Sequence, residues 1–409
     1  MAENRLNFPP YQTLLVICCS IVFGCYLGTY MRLPIVPLYA RSLGANTVLV
    51  GIINSAFFLT AGLLSLPSGM VSDRLGYKLV AASGLLILSA TSFLLFFSRT
   101  AGQLVWIYLL AGAGLAAFGP TIMSFVADFS PPTHLGRSYG WYTTALYSGM
   151  TLGPGVGGFL VEALGFTRTF FISGAFILVP LGVLLLFLPR GRRVDRLPDA
   201  AHRAAGVWDL LRNRALLGCW LGTLGGCFAL GMFITFVPLH AHDQGLSLGQ
   251  IGLVFSLQGI ANAVSRIPFG HLSDRVSNRS LLAVLGLTGI ALCVAAYGIS
   301  TTPAHFMLVA IGLGFTMGLA FTSIGALTAE VVPPQSRGLA MGGYNSCIYL
   351  GMMLSAALMG GIIKKMGFAG GFGLAAGAGL LVTGSFYLLL RDFSPDRVQT
   401  AGVDKGPQG

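Results

Sequence analysis

Charged residues are scarce in this chain of 409 residues. They make up 9% of the sequence, against about 25% in soluble domains, while hydrophobic residues make up 55%. Thirteen acidic and 24 basic side chains cannot cover the surfaces of several water-soluble domains, and the hydrophobicity excludes a disordered chain. A membrane protein with several spans is the class that remains.

The sequence also lacks the patterns of a metal centre, a disulfide framework and a nucleotide-driven pump. The seven cysteines lie within apolar runs without a C-x-x-C pair, and no G-x-x-x-x-G-K-[ST] sequence occurs. The six histidines fall at loops or span ends. His240 and His242 beside Asp243 form a weak metal pattern, which is more typical of a solvated loop. We therefore expect no metal, no cofactor and no enzymatic centre in the membrane.

Long apolar runs predict twelve transmembrane helices. The bilayer core requires roughly 20 residues of helix, and the runs are too long for barrel strands of about 9–11 residues. The predicted fold is an all-α polytopic membrane protein. The runs lie near residues 12–39, 47–68, 78–98, 103–127, 139–163, 168–188, 215–239, 249–270, 279–299, 304–329, 338–363 and 368–390.

The basic residues predict the orientation of these spans. With twelve spans both termini lie on one side, and that side carries 17 lysines and arginines against five on the other, with Arg32 and Arg266 inside spans. The positive-inside rule places both termini in the cytoplasm. The net charge of +11 therefore requires no nucleic-acid partner.

An internal repeat divides the chain into two halves of six spans. Residues 31–38 recur at 232–239, an offset of 201, and further matches follow in order along the half. Parallel repeats of this kind are related by a pseudo-two-fold axis along the membrane normal and are typical of transporters that alternate access around a central site. The predicted parts are an N-terminal bundle (1–188), an arginine-rich cytoplasmic linker (189–214) with an interfacial helix near 207–211, a C-terminal bundle (215–391) and a cytoplasmic tail (392–409).

A glycine-rich pattern with an aspartate ends the second span and recurs after the eighth. Its carboxylate could pair with a basic group in one conformation and release it in another, although a simple turn would also use these glycines. The pattern resembles the signature of the major facilitator superfamily, and the resemblance covers the whole chain. It implies a monomer of two six-helix bundles that rock about a central cavity, with the aspartate paired to a basic residue such as Arg337. The switch candidates are Gly69, Asp73, Arg74, Gly76, Lys78, Asp128, Arg137, Gly270, Asp274, Arg275, Glu330 and Arg337.

A second glycine pattern lies in the fifth span and surrounds a proline. It predicts a kinked helix with a close-packing face, and it resembles the antiporter motif of drug:proton exporters in the same superfamily. Two features depart from those exporters: Tyr108 stands where many have an arginine, and no acid lies near the middle of a span. The members of the pattern are Gly149, Gly153, Pro154, Gly157 and Gly158.

Polar side chains within the spans are the candidates for binding a substrate. Arg32 is the most deeply placed charge of the first half and would share a helix face with Tyr26 and Thr29; it could instead extend to the outer surface. Gln258 and Asn262 share a face of the eighth span with Arg266, whose own role we expect to be structural. The remaining candidates, Tyr142, Tyr147, Asn345 and Tyr349, could equally serve in packing.

The function expected from the sequence is secondary transport of a small organic molecule across the cytoplasmic membrane, by proton-coupled efflux. The alternative is an anion-selective uniporter, exchanger or importer that uses Arg32. The expected partners are a small-molecule substrate, protons and the lipid bilayer. Twenty arginines against four lysines are typical of a bacterium with a GC-rich genome.

Overall fold

The computed structural model describes residues 10–189, 210, 212–276, 278–333 and 336–391, and every regular element in these ranges is a helix. A short 3₁₀ turn, Pro132–His134, lies between the fifth and sixth helices. The helices are α1 (Tyr11–Met31), α2 (Ile35–Ser42), α3 (Thr47–Leu75), α4 (Tyr77–Phe97), α5 (Ala101–Phe129), α6 (Leu135–Leu164), α7 (Phe166–Phe187), α8 (Arg214–Asp243), α9 (Leu248–Arg275), α10 (Arg279–Gly298), α11 (Pro303–Glu330) and α12 (Arg337–Leu390).

The predicted all-α membrane architecture is confirmed. Within the described ranges, ten helical stretches are long and apolar enough to cross a membrane, with α1 and α2 counted as one. The helix α12 has 54 residues and is interrupted at Gly367, whose φ of 74° lies in the left-handed region, so it supplies two spans. The helix α6 is long enough but carries many glycines and hydroxyl residues. With α6 included and α12 counted as two, the twelve predicted spans are present.

The first span is broken, which corrects the prediction of one continuous helix over 12–39. The helix α1 ends at Met31, three turn residues follow, and α2 begins at Ile35. Pro34 has no N–H to donate, and its ring crowds the carbonyl four residues earlier, at Tyr30. Arg32 consequently lies in a turn and not on a regular helix face with Tyr26 and Thr29.

The described contacts divide the chain into two compact units. The first unit comprises Met1–Asp195 together with Gly245–Ser256, and the second comprises Arg196–Gln244 and Leu257–Gly409. In the first unit α1 packs against α6 and α7, α3 against α5, and α4 against α7. In the second unit α8 packs along α12, and α10 packs against α11 and α12. The predicted tail, and most of the predicted linker with its interfacial helix, fall outside the described residues.

Candidate functional site

Arg32 is buried in the first unit, with 3% of its surface exposed. Its Nη1 group donates hydrogen bonds to the hydroxyl oxygens of Thr91, at 3.0 Å, and Ser92, at 2.8 Å, both on α4. The Ser92 hydroxyl lies 3.3 Å from that of Ser173 on α7, which donates to the Gly28 carbonyl at 2.8 Å. The guanidinium therefore points into the helix packing of the first unit and does not extend to the surface.

No carboxylate among the described residues compensates the charge of Arg32. Its Nη2 atom is buried without a hydrogen-bond partner, and no acid is among the groups that act on it electrostatically. Thr91 and Ser92 also donate to the Leu88 carbonyl, so both hydroxyls keep an acceptor when the arginine is absent. A buried cation without a counter-ion is costly at membrane depth. Its presence favours a functional role over a structural one.

Two aromatic candidates of the first unit meet at one backbone position on α5. The Tyr142 hydroxyl donates to the Gly119 carbonyl at 3.3 Å, and a Cβ placed on Gly119 would lie 3.1 Å from the Tyr26 hydroxyl oxygen. The Thr29 hydroxyl is buried without a hydrogen-bond partner. Tyr26, Tyr142 and Thr29 therefore lie in the interior of the first unit, whereas Tyr147 is half-buried.

The candidates of the second unit are placed on α9 and α12. Gln258 Nε2 lies 3.3 Å from the Met317 sulfur on α11, and Asn262 Oδ1 accepts a hydrogen bond from Arg266 Nε at 2.9 Å. The amide of Asn262 is thus engaged along its own helix. The two candidates on α12, Asn345 and Tyr349, are exposed and half-buried respectively.

The turn after α3 requires a glycine. Gly76 has a φ of 93°, and its N–H donates to the Ser72 carbonyl at 2.9 Å, which closes the end of the helix. Asp73 and Arg74 are exposed beside this turn. The pairing of Asp73 with Arg337 stays a prediction; the Arg337 Nε group donates to the Ala329 carbonyl at 3.0 Å.

The residues that follow Gly76 tie the start of α4 to two neighbouring helices. Tyr77 donates a hydrogen bond to the carboxylate of Asp128 near the end of α5, and Lys78 Nζ donates to the carbonyl oxygen of Leu188 at 2.6 Å and of Leu185 at 2.7 Å. An ammonium group at these last carbonyls of α7 stabilises the negative end of the helix dipole. Gly69 is half-buried on α3, and Arg137 is exposed on α6.

The second copy of the pattern uses an ion pair in the equivalent place. Arg279 pairs with Glu330 at the end of α11, and its Nε group donates to the Ser273 carbonyl at 2.9 Å. The sequence reasoning missed Arg279, although the repeat offset of 201 places it opposite Lys78. Gly270 is half-buried and Arg275 exposed, while the side chain of Asp274 lies outside the described part.

The glycines of α6 form two contact faces. A Cβ on Gly149, Gly153 or Gly157 would lie 2.7, 2.8 and 1.9 Å from backbone oxygens of α1. A Cβ on Gly158 would instead lie 2.6 Å from the Leu248 carbonyl and 2.9 Å from the Gly252 Cα. Helix α6 is therefore held at backbone contact distance by α1 on one side and by the segment Gly245–Ser256 on the other.

Ser256 inserts its hydroxyl into the backbone of α6 next to Pro154. The Ser256 Oγ atom accepts a hydrogen bond from the Gly155 N–H at 3.1 Å and donates to the Thr151 carbonyl at 2.7 Å. In an uninterrupted helix these two backbone groups would bond to each other. The Ser256 hydroxyl therefore gives both backbone groups a hydrogen-bond partner in the turn that contains Pro154.

Glu162 provides a third attachment of this segment, at the start of α9. Its Oε2 atom accepts hydrogen bonds from the Gly249 N–H at 2.7 Å and from the Ser247 hydroxyl at 2.9 Å. The first N–H groups of a helix have no partner within the helix, and a carboxylate there also stabilises the positive end of the dipole. Glu162 thus fixes the beginning of α9 to the end of α6.

Removing this carboxylate should loosen the start of α9. For Glu162→Ala we expect the amides of residues 248–252 to exchange hydrogen roughly twofold to thirtyfold faster, since helix-capping groups contribute about 0.5–2 kcal/mol. Glu162→Gln keeps an oxygen acceptor and should fall between the wild type and Glu162→Ala. Hydrogen–deuterium exchange measures this, with the amides of α7 as the reference within each sample. Equal exchange in all three proteins would contradict the attachment.

Comparison with known proteins adds a family and a fold. The family model described as Major Facilitator Superfamily matches residues 18–250 and 219–408. An uncharacterized MFS-type transporter of Methanocaldococcus jannaschii is 24% identical over 359 residues, 85% of this chain and 90% of the relative. Multidrug resistance protein MdtG of Proteus mirabilis is 29% identical over 65% of this chain and 69% of its own length. Quinolone resistance protein NorA of Staphylococcus aureus is 28% identical over 61% of this chain and 64% of its own.

Solved structures give the same fold. The nucleoside transporter NupG superposes with a TM-score of 0.78 at 14% identity, covering 92% of this chain and 99% of that one. A bacterial homologue of the human lysosomal transporter Spinster superposes with a TM-score of 0.74 at 16% identity, covering 93% and 97%. At these identities the likeness establishes the architecture of the chain.

Proposed function

The chain belongs to the Major Facilitator Superfamily, and from this premise we propose that it exports a small organic molecule across a bacterial cytoplasmic membrane in exchange for protons. It is a multi-pass membrane transporter of that superfamily. Two relatives are named for resistance to drugs, which supports export and a lipophilic organic substrate. The excess of basic residues on one side supports cytoplasmic termini.

The observation that carries the export proposal is the glycine face of α6. Three glycines bring α6 onto the backbone of α1, and Gly158 brings the segment Gly245–Ser256 onto the opposite side. The repeat-equivalent of Gly157 in the second unit is Met359, a buried residue with a long side chain, so the approach at this position is confined to the first unit. Gly351, the equivalent of Gly149, keeps its approach, since a Cβ there would lie 2.3 Å from the Leu224 carbonyl oxygen. An asymmetric contact of this kind supports a transport cycle with a preferred direction.

Arg32 supports a second candidate, transport of an organic anion without protons. Its buried Nη2 atom has no partner and its charge has no acid beside it. A guanidinium binds a carboxylate in a bidentate manner, so a carboxylate ligand would supply both missing interactions. Tyr108, which replaces the arginine of many proton-coupled exporters, lies within electrostatic range of Arg32. Arg32, in the turn between α1 and α2, therefore supplies the positive charge near Tyr108.

Ligand-induced thermal stabilisation of the purified protein separates the two candidates. A ligand at 100 times its dissociation constant adds about 2.7 kcal/mol to the free energy of unfolding. We expect tetraphenylphosphonium, a lipophilic cation, to stabilise the wild type and Arg32→Met alike, while benzoate and neutral sugars do not. Stabilisation by benzoate that disappears in Arg32→Met would contradict the export proposal and support the anion carrier.

A further inference from the structure

His240 is enclosed by aromatic rings near the end of α8. Its ring centroid lies 5.0 Å from Phe368, 5.4 Å from Phe306 and 6.0 Å from Phe372, and 5% of its surface is exposed. We call these four residues the histidine cage. The sequence-based expectation of a solvated loop was wrong for His240, because side chains from α11 and from the part of α12 after Gly367 cover it.

The histidine cage leaves polar atoms without partners. Neither ring nitrogen of His240 makes a hydrogen bond of good geometry, and the buried Tyr297 hydroxyl on α10 has no partner either. The backbone groups of Tyr297 and Ser300, at the carboxyl end of α10, lie close to the imidazole. A protonated imidazole has two N–H donors, and both aromatic faces and the carboxyl end of a helix stabilise a cation. These groups act against the cost of burying a charged ring.

The internal repeat shows which residue occupies the same place in the first unit. Offsets of 201 and 202 match His240 with Tyr39, and Phe368 and Phe372 with Phe166 and Phe170. The Tyr39 ring lies 5.6 Å from Phe166 and 5.0 Å from Phe170, and its hydroxyl donates to the Ser98 carbonyl at 2.8 Å. The repeat-equivalent of Ser98 is Ser300. In the first unit this place is therefore occupied by a tyrosine whose hydroxyl is hydrogen-bonded. In the second unit it is occupied by a histidine.

We propose that His240 is a proton-binding site of the second unit, and that the histidine cage holds the proton which the transport cycle exchanges. The proposal rests on the proposed function, since it names the group that would carry the coupled proton. Neutral imidazole takes up one proton at a ring nitrogen and returns it to water in another state of the cycle. The predicted spans carry no acid near their middle, and proton coupling usually requires an ionisable group within the membrane. A buried histidine is a group of this kind.

The helices that form the histidine cage carry other titratable residues. Asp243, one turn further along α8, acts electrostatically on His240 and favours the cation. His242 on α8 and His305 on α11 are exposed, as are Lys364 and Lys365 on α12. On α10, Tyr297 lies against Phe306 and Phe372 of the cage, and Cys293 acts electrostatically on Tyr297. The exposed histidines provide matched controls, because they lie outside the cage.

Carbon-13 nuclear magnetic resonance of the histidine-labelled full chain in detergent tests proton binding directly. The variant His240→Tyr places at position 240 the residue type found at its repeat-equivalent, Tyr39. The histidine signal that is missing from the spectrum of this variant belongs to His240. If His240→Tyr does not fold, His240→Gln serves the same purpose. We expect this signal to titrate and its titration to shift when tetraphenylphosphonium is added. A signal that keeps one protonation state throughout would overturn the proposal.

Proton exchange with the medium distinguishes this inference from the proposed function. We expect the purified wild type and His305→Gln to exchange about one proton for each tetraphenylphosphonium bound, by linkage between the two sites. His240→Tyr should bind the ligand with exchange reduced to background. Undiminished exchange in His240→Tyr would overturn the assignment to His240 alone. Binding without exchange in the wild type would overturn proton coupling itself.

Discussion

Replacing Arg32 with methionine is expected to make the protein more stable and to lower transport on the order of tenfold or more. Methionine has a similar length and no charge to bury. The Thr91 and Ser92 hydroxyls keep the Leu88 carbonyl as acceptor, so the substitution leaves no new unsatisfied donor. Replacement of buried ionic groups by apolar ones is often stabilising by about 1–4 kcal/mol, and we expect the lower part of that range here.

The combination of the two effects is what identifies a functional charge. A structural arginine would give the opposite pair of results, with lower stability and retained transport. Thermal unfolding of the purified protein and uptake of tetraphenylphosphonium into proteoliposomes measure the two quantities. Arg168→Gln is the matched control, because Arg168 is exposed on α7 and should change neither. Loss of stability in Arg32→Met with full uptake would show that Arg32 is a structural residue.

Adding one methyl group at Gly157 is expected to destabilise the first unit strongly. The new Cβ would lie 1.9 Å from the Met31 carbonyl oxygen and 2.8 Å from the Met31 Cα. Both are backbone atoms, so α1 and α6 must separate to admit the methyl group. Overpacking costs roughly 1–3 kcal/mol, and a contact this short places Gly157→Ala at or above the upper end. The thermal unfolding midpoint should fall by several degrees, and the Ser256 contact with α6 should weaken with it.

Gly182 on α7 supplies the matched control for this substitution. A Cβ there meets nothing within 4 Å, so Gly182→Ala tests the effect of the methyl group without the close contact. Alanine in a helix is favoured over glycine by about 1 kcal/mol, so Gly182→Ala should retain or raise the unfolding midpoint. Equal midpoints for Gly157→Ala and Gly182→Ala would show that α1 and α6 are not held at backbone contact distance.

Most of the helical architecture follows from the sequence, because membrane spans are recognisable as long apolar runs. A span of apolar residues leaves few alternatives to a helix, since backbone groups in the bilayer must bond within the segment. Hydropathy does not indicate where a helix is interrupted within an apolar run. The turn between α1 and α2 was therefore not predicted. Pro34 signalled that break, but Pro154 and Pro238 lie within continuous helices, so proline alone did not decide the matter.

The candidate site was predictable in kind but not in its contacts. Arg32 stood out as a charge within a span, yet its partners Thr91 and Ser92 are some 60 positions away along the chain, and no local pattern points to them. The attachment of Ser256 to α6 depends on tertiary packing in the same way. The sequence does point to His240 and Arg279, because the repeat places them opposite Tyr39 and Lys78. A position-by-position comparison of the two halves predicts both residues.

Uptake driven by an imposed proton gradient tests the central claim most directly. Proteoliposomes with an acidic interior should accumulate tetraphenylphosphonium above its external concentration. Accumulation should cease when a protonophore removes the gradient, and it should be weak in Arg32→Met. Tetraphenylphosphonium that only equilibrates, with or without the gradient, would contradict proton-coupled export. Benzoate carried in its place, independently of the gradient, would establish the anion carrier instead.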